Sequence, residues 1–264
     1  MIAFVGEGHA AQMVREQVDG LLRQLARARR LPVVLLQGET GTGKGLLATY
    51  LHRHGPRARG PFVDLNCAAI PGTLLEAELF GFERGAFTDA RHAKPGLFQA
   101  AHGGTLFLDE VGLLSLPLQA KLLKALEERT VRRLGSTRPT AVDVWVIAAS
   151  NENLAGAVRA GRVREDFYHR VAALVVRLPS LRERSEDIGV LSDHFLARFC
   201  NEYGLPRKHL GPGALAALQA YSWPGNVREL ANVIERATLL ADGEELLPDV
   251  LQLPASDKHA SRIS

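Results

Sequence analysis

The stretch VVLLQGETGTGKG, from Val33 to Gly45, decides the fold of this chain. Its first part, Val33 to Leu36, is a continuous apolar run that predicts a buried strand. Helical spacing then appears ahead of the stop signals Gly55 and Pro56. The apolar residues at that spacing are Leu46, Leu47, Tyr50 and Leu51. The stretch therefore predicts a strand, a glycine loop and a helix in succession.

The glycine loop has the composition of a phosphate-binding loop. Its glycines let backbone N–H groups point toward an anion, the N-terminus of the next helix adds positive potential, and Lys44 supplies a point charge for phosphate oxygens. Gly45 stands where the generic pattern has a Ser or Thr that ligates Mg²⁺, which leaves an ordinary glycine-rich turn as the alternative. We expect nucleotide contacts from the whole loop: Gly38, Glu39, Thr40, Gly41, Thr42, Gly43, Lys44 and Gly45.

A second apolar run, Thr105 to Leu108, ends in two adjacent carboxylates, Asp109 and Glu110. The carboxyl ends of parallel strands are where open α/β sheets bind ligands. Asp109 would hold Mg²⁺, through water, and Glu110 would orient and polarise an attacking water. An isolated Asp-Glu pair could be a solvated turn, but its pairing with an upstream phosphate loop favours nucleotide hydrolysis.

Apolar runs alternate with helical stretches as far as Pro179, which predicts a parallel sheet covered on both faces by helices. The remaining runs are Phe62 to Leu65, Val142 to Ala149 and Ala173 to Leu178. Beyond Pro179 only helical periodicity continues. We expect an α/β subdomain over residues 1–180, a helical lid over 181–242 and a flexible tail over 243–264.

Composition is that of an ordinary globular protein, with 46% hydrophobic and 23% charged residues and a net charge of +3. The two cysteines, Cys67 and Cys200, lack metal-ligand spacing and suit a reducing compartment. No apolar run reaches the roughly 18 residues that span a bilayer. We expect a cytoplasmic protein without membrane contact, and too few residues follow the last helix for a DNA-binding domain.

Eight blocks of the chain appear in the order found in one protein family. They are Gly38–Lys44, Leu65–Ala69, Glu78–Gly81, Gly85–Thr88, Gly103–Glu110, Arg164–Arg170, Leu181–Arg184 and Trp223–Leu230. Together they resemble the central AAA+ ATPase domain of the bacterial sigma-54-dependent transcription activators, over about Gly6 to Leu240. That family usually has Glu at the position of Gly45, so its members also dispense with the Ser or Thr metal ligand.

The resemblance implies a fold and an activity. The fold would be an AAA+ P-loop NTPase, with a five-stranded parallel sheet sandwiched by helices and followed by a small all-α lid. The activity would be hydrolysis of ATP, with Mg²⁺, in a hexameric ring of identical subunits. The partner would be the sigma-54 RNA polymerase holoenzyme.

The resemblance also implies roles for three residues at strand ends. Asn66 would be the switch that holds Glu110 away from water until the ring is ready for hydrolysis. Ser150 and Asn151 would form the sensor of the γ-phosphate, at a place where the family more often has Thr before Asn.

Three arginines receive roles by the same resemblance. Arg164 and Arg170 would reach into the nucleotide site of the neighbouring subunit and stabilise charge on the transferred phosphoryl group. Arg228 would be the second sensor, by which the lid touches the nucleotide. It lies at the start of a helix that Asn226 is suited to cap.

The resemblance finally implies a partner-binding loop made of Gly85, Ala86, Phe87, Thr88, Asp89 and Ala90. In the family this loop contacts sigma-54, a second loop between Arg133 and Thr140 supports it, and Gly replaces Asp89. Asp89 therefore favours an alternative function, a nucleotide-dependent switch that acts on a different partner. A DNA-translocating or clamp-loading ATPase would share the nucleotide site but not this loop.

Overall fold

The computed structural model describes residues 6–253, which fall into two compact units. The sheet unit contains residues 16–38 and 44–178. The lid unit contains the described residues of 6–15, 39–43 and 179–253. Part of the phosphate loop therefore belongs to the lid unit, whereas the ranges predicted from the sequence assign the whole loop to the α/β subdomain.

Five parallel strands form the centre of the sheet unit, in the spatial order β2-β5-β8-β1-β9. Two short antiparallel pairs, β3 with β4 and β6 with β7, accompany it. The strands are β1 Val34–Gln37, β2 Phe62–Asn66, β3 Gly81–Phe82, β4 Lys94–Pro95, β5 Thr105–Asp109, β6 Thr130–Arg132, β7 Pro139–Ala141, β8 Trp145–Ser150 and β9 Leu174–Arg177. The predicted five-stranded parallel sheet is confirmed, although β8 begins at Trp145 rather than at Val142.

Helices flank the sheet and share its apolar core, in which Leu106, Leu122, Ala148 and Phe167 are buried. The first helix, α1 His9–Leu25, begins in the lid unit and ends in the sheet unit. The others are α2 Lys44–His54, α3 Gly72–Phe80, α4 Leu97–Ala100, α5 Leu116–Glu128, α6 Leu154–Arg159 and α7 Glu165–Val171, with a 3₁₀ turn at Val111–Leu113. No helix among residues 6–253 is long and apolar enough to cross a membrane.

Three helices and a 3₁₀ turn build the lid unit around a second core, centred on the buried Trp223. They are the 3₁₀ turn Leu181–Arg184, α8 Asp187–Tyr203, α9 Ala214–Ala220 and α10 Asn226–Leu240. One short parallel ladder joins β10 His209–Leu210 to β11 Glu245–Leu246.

The predicted flexible tail is wrong over its first part. Residues 245–246 form β11, and both Leu246 and Leu251 are fully buried in the lid core. Apolar side chains in this Pro-rich and acidic stretch stabilise it by burial, which local composition does not reveal. The rest of the predicted tail, residues 254–264, lies outside the described residues.

Candidate functional site

The sheet unit brings Lys44, Asp109 and Glu110 together at the carboxyl edge of its strands. Lys44 is the first residue of α2, and its Nζ donates to Gly38 O at 2.8 Å and lies 4.0 Å from Glu110 Oε1. Asp109 ends β5, and its Oδ1 accepts from Glu110 N–H at 3.0 Å. The predicted cation and both predicted carboxylates therefore share one site.

Glu110 has an unusual backbone conformation at this edge. Its φ of 57° lies in the left-handed region, which costs an L-residue roughly 1–2 kcal/mol. Its side chain is restrained as well, because Oε2 accepts from Asn151 N–H at 3.1 Å. Strained backbone of this kind concentrates at functional sites.

Asn66 lies next to this pair but is engaged in its own turn. It is aligned with Asp109 in the ladder of β2 and β5, and its Oδ1 accepts from Ala68 N–H at 2.8 Å. In this structure Glu110 contacts Lys44 and Asn151, and the switch role of Asn66 stays a prediction. Burial, followed by the charges of Asp109 and Glu110, raises the pKa of the neighbouring Cys67 thiol to about 12, so this thiol stays protonated.

The two predicted sensor residues differ in surroundings. Ser150 is buried at the end of β8, and its hydroxyl donates to Glu152 O at 3.0 Å and accepts from Glu152 N–H at 3.1 Å. Asn151 is exposed, and its backbone N–H contacts Glu110. Of the two, Asn151 is the residue that the structure places beside the catalytic candidate, whereas Ser150 shapes the turn.

The structure gives two observations that bear on metal binding at this site. A Cβ added at Gly45 would meet only Phe107 Cε1, at 3.9 Å, so the absent hydroxyl at this position is a matter of sequence and not of space. Within the described residues no group of three or more acidic, His or Cys side chains could hold a metal ion. Mg²⁺ is commonly bound by one or two carboxylates plus substrate phosphates, and Asp109 fits that requirement.

In the lid unit, Asn226 does not cap α10 as predicted. It is fully buried with φ 53°, its Oδ1 accepts from Leu181 N–H at 2.7 Å, and its Nδ2 donates to Glu39 Oε2 at 3.1 Å and to Thr40 O at 3.0 Å. Asn tolerates the left-handed region better than most residues. Its side chain therefore joins three backbone segments of the lid unit instead of closing a helix end.

Glu39 is held by Arg182, whose role is not predictable from the sequence motif alone. Arg182 Nη1 donates to Glu39 Oε2 at 2.9 Å, and Arg182 Nη2 contacts Glu39 Oε1. Arg182, followed by Asn226, lowers the pKa of Glu39 to about 2, so the carboxylate is ionised at neutral pH. Arg182 lies in the Leu181–Arg184 block, so the sequence identifies the motif but does not identify Glu39 as the residue that pairs with it.

Arg228 is exposed, and its backbone N–H donates to Gly41 O at 3.3 Å. Gly41 has φ 82°, and a Cβ there would lie 2.1 Å from Gly225 O. Two stretches of backbone pass so closely that no side chain fits between them. Within the lid unit, residues 39–43 and the predicted second sensor are thus adjacent.

A buried ion pair in the lid unit was also missed. Arg184 and Asp187 are 1% and 0% exposed, with Nη1 and Oδ2 3.9 Å apart. Asp187 Oδ1 accepts from Glu7 N–H at 2.8 Å and Gly8 N–H at 2.7 Å, and Arg184 Nη2 donates to Thr42 O at 3.3 Å. Burial lowers the pKa of Arg184 and the charge of Asp187 opposes that shift.

We expect Asp187→Asn to lower the free energy of unfolding by about 3 kcal/mol, because it leaves Arg184 as a buried charge without its anion. Urea unfolding followed by tryptophan fluorescence measures this, since Trp223 reports on the lid unit. Asp193→Asn, an exposed change on the same helix, is the matched control. Equal losses in the two variants would contradict a stabilising role of the ion pair.

The two predicted finger arginines lie at opposite ends of α7. The guanidinium of Arg164 is exposed and donates to Asp166 at 3.0 and 2.7 Å, and this contact raises the pKa of Arg164. Arg170 is half-buried, its Nη2 donates to Leu126 O at 2.7 Å, and its Nε is buried without a hydrogen-bond partner among the described residues. The structure therefore presents Arg164 to solvent and packs Arg170 against α5.

The predicted partner-binding loop is a turn with an exposed tip. Gly85 has φ 82° and its N–H donates to Ala90 O at 2.8 Å, while Phe87 is 43% exposed and its ring lies 4.9 Å from that of Phe82. Asp89 is exposed, and it is not among the described residues that have positive φ. The backbone at this position therefore accepts Asp as readily as Gly, and the charge of the carboxylate is what distinguishes Asp89 from the Gly of the family.

Next to that loop lies the second predicted loop. Glu83 N–H donates to Leu134 O at 2.9 Å, Leu134 N–H donates to Gly81 O at 2.9 Å, and Arg133 Nη1 is 3.3 Å from Glu83 Oε1. The two loops are therefore joined at their bases by backbone hydrogen bonds and an ion pair.

Comparison with known protein families gives two matches that cover most of the chain. Residues 6–177 match the Sigma-54 interaction domain, and residues 182–263 match the AAA+ ATPase lid domain. The chain belongs to the Sigma-54 interaction domain family. Its fold is accordingly that of an AAA+ ATPase.

Curated members of the Sigma-54 interaction domain family are similar along nearly the whole chain. The response regulator protein PilR of Pseudomonas aeruginosa is 44% identical over 98% of this chain and 58% of its own length. The DNA-binding transcriptional regulator NtrC of Escherichia coli is 47% identical over 92% of this chain and 50% of its own length. The chain thus spans about half the length of the curated relatives it matches.

Solved structures agree with this membership. NtrX from Brucella abortus in complex with ATP has a TM-score of 0.85 and 34% identity, over 98% of this chain and 57% of that chain. RuvB from Thermotoga maritima, at 14% identity and a TM-score of 0.62, shares the fold alone.

Proposed function

We propose that this chain is an ATP-hydrolysing AAA+ domain that forms a hexameric ring and remodels the sigma-54 RNA polymerase holoenzyme. The observation that carries the proposal is the approach of Lys44 Nζ to within 4.0 Å of Glu110 Oε1, beside Asp109 at the carboxyl edge of the sheet. The phosphate-binding cation, Lys44, and the catalytic carboxylate, Glu110, are then close enough to act on the same triphosphate. The similarity to NtrX, which was solved with ATP and with ADP, supports ATP as the ligand.

The chemistry assigned to these residues is the attack of water on the γ-phosphorus of ATP. A new bond forms between the water oxygen and the γ-phosphorus, and the bond from that phosphorus to the bridging oxygen of ADP breaks. Glu110 accepts a hydrogen bond from the water and polarises it, while Lys44 offsets charge on phosphate oxygens. Mg²⁺ bound near Asp109 would neutralise further phosphate charge.

We propose a ring because Lys44 is the cation that the structure places beside Glu110 within the described residues, and an arginine would further stabilise the charge on the transferred phosphoryl group. The described neighbours of Asp109 and Glu110 supply one cation, Lys44. Arg164 and Arg170 lie on α7, where Arg164 is exposed to solvent. An arginine from a neighbouring subunit would complete each site.

The alternative function, a switch that acts on another partner, rested on Asp89. Membership of the Sigma-54 interaction domain family does not favour it, and the backbone at Asp89 is unstrained. The remaining difference between Asp89 and the Gly of the family is the charge of the carboxylate. A carboxylate that becomes buried against a partner without a counter-ion weakens binding.

We expect the unmodified chain to capture purified sigma-54 in the presence of Mg²⁺ and an ATP transition-state mimic, and Asp89→Gly to capture it about tenfold more tightly. ATP hydrolysis of the variant should change less than about twofold, because the loop is exposed and lies outside the nucleotide residues. Asp242→Gly, a change at another exposed loop carboxylate, is the control. If neither the unmodified chain nor Asp89→Gly captures sigma-54, sigma-54 is not the partner. If both capture it equally well, the charge of Asp89 has no effect on binding.

A further inference from the structure

The first half of the phosphate loop is bonded to the segment that carries the predicted second sensor. Within the lid unit, Glu39 accepts from Arg182 and Asn226, Thr40 O accepts from Asn226, and Gly41 O accepts from Arg228 N–H. Arg182 comes directly after Leu181, whose N–H donates to Asn226. The next residue after this loop, Lys44, begins α2 in the sheet unit.

A carboxylate in a phosphate-binding loop needs an explanation, because its charge has the same sign as that of the ligand. An uncompensated anion near bound phosphates opposes binding. At Glu39 both carboxylate oxygens accept from the guanidinium of Arg182, in the two-pronged geometry that is strongest for this pair. The carboxylate is thus turned to protein donors and its charge is offset.

We infer that Glu39 is a positioning residue: through Arg182 and the buried Asn226, its carboxylate fixes residues 39–43 in the lid unit, and Arg182 shields the bound phosphates from its charge. The inference rests on the proposed function, since it requires ATP to bind at this loop. Glu39 itself would make no side-chain bond to the nucleotide. Backbone N–H groups of the loop would bind the phosphates.

The geometry of Gly41 supports a fixed loop. Its φ of 82° and the 2.1 Å distance from an added Cβ to Gly225 O show that loop backbone and turn backbone are in direct contact. Asn226, fully buried with φ 53°, has its side chain engaged at both ends by residues 39, 40 and 181. A mobile or separately placed loop would not provide these partners.

A double-mutant cycle tests the inference through the dissociation constant for ATP, measured by equilibrium dialysis with Mg²⁺. We expect Arg182→Gln to weaken ATP binding about tenfold, because Glu39 loses its cation, and Glu39→Gln to weaken it about threefold, because the loop loses an anchor but also a negative charge. The double variant should match Glu39→Gln at about threefold instead of the thirtyfold that independent effects give. At high salt the deficit of Arg182→Gln should shrink to about threefold.

Arg198→Gln, which removes an exposed arginine paired with Glu202 on α8 of the same unit, is the matched control and should bind ATP like the unmodified chain. Multiplying effects in the double variant, or a deficit of Arg182→Gln that equals that of Arg198→Gln, would overturn the inference while leaving the proposed function intact. Failure of the unmodified chain and of Arg198→Gln to bind ATP would overturn the proposed function, and the inference with it.

Discussion

Glu110→Gln is expected to lower the rate of ATP hydrolysis by about 10²–10⁴-fold while the dissociation constant for ATP changes less than about threefold. The amide has the size of the carboxylate and retains an oxygen that can accept from Asn151 N–H. It is neutral, however, and a poor acceptor for the proton of an attacking water. Single-turnover hydrolysis separates this chemical step from binding, which is measured independently.

A matched change elsewhere shows whether the effect belongs to the site. Glu128→Gln replaces an exposed glutamate of α5 that pairs with Lys124 at 3.6 Å and accepts from the Thr130 hydroxyl at 3.3 Å, so turnover should remain within about twofold. If Glu110→Gln hydrolyses ATP within about threefold of the unmodified chain, Glu110 is not the residue that activates water. The left-handed backbone at this position would then need a different explanation.

The sheet and the catalytic carboxylates could be predicted from the sequence because their signals are local. Buried parallel strands appear as unbroken apolar runs, and β1 and β5 overlap the runs so identified, each strand ending one residue later. The polar residues that follow such strands must lie at one edge of a parallel sheet. That rule predicts that Lys44, Asp109 and Glu110 lie close together.

Asn226 shows where local reasoning fails. An Asn at the start of a helix has a high capping propensity, and that propensity is what the sequence offers. In the structure its side chain instead forms hydrogen bonds with residues 181, 39 and 40, which are distant in the chain. The ion pairs of Glu39 with Arg182 and of Asp187 with Arg184 differ in range but share the same difficulty, because many charged residues of the chain could pair with each of them.

For the predicted finger arginines and sensor residues, the family resemblance names the residues, but their surroundings are known only from the structure. The resemblance supplied Arg164, Arg170 and Ser150, and the structure then separated exposed from buried candidates. Ser150 is enclosed because the last residue of a central strand is covered by its neighbours, and its hydroxyl is used by the turn at Glu152. Arg170 is half-buried and donates to Leu126 O, whereas Arg164 is exposed and directly precedes the first residue of the same helix.

Arg170→Ala and Lys44→Ala should each lower ATP hydrolysis by about 10³-fold or more, because one removes the charge supplied to the phosphoryl group and the other the phosphate-binding cation. Arg159→Ala, at an exposed arginine of α6, is the control and should remain active. If each site combines Lys44 of one subunit with Arg170 of its neighbour, mixed rings contain some interfaces in which both residues are intact. Random mixing at equal amounts gives about a quarter of such interfaces.

The ATPase rate of that mixture shows whether the chain hydrolyses ATP at sites shared between subunits. Subunit exchange is verified with two differently labelled variants, and the rate is compared with that of each variant alone. We expect the mixture to recover roughly a quarter of the activity of the unmodified chain, in proportion to the restored interfaces. Mixed rings that hydrolyse ATP no faster than either variant alone would show that Lys44 and Arg170 do not act together across a subunit interface.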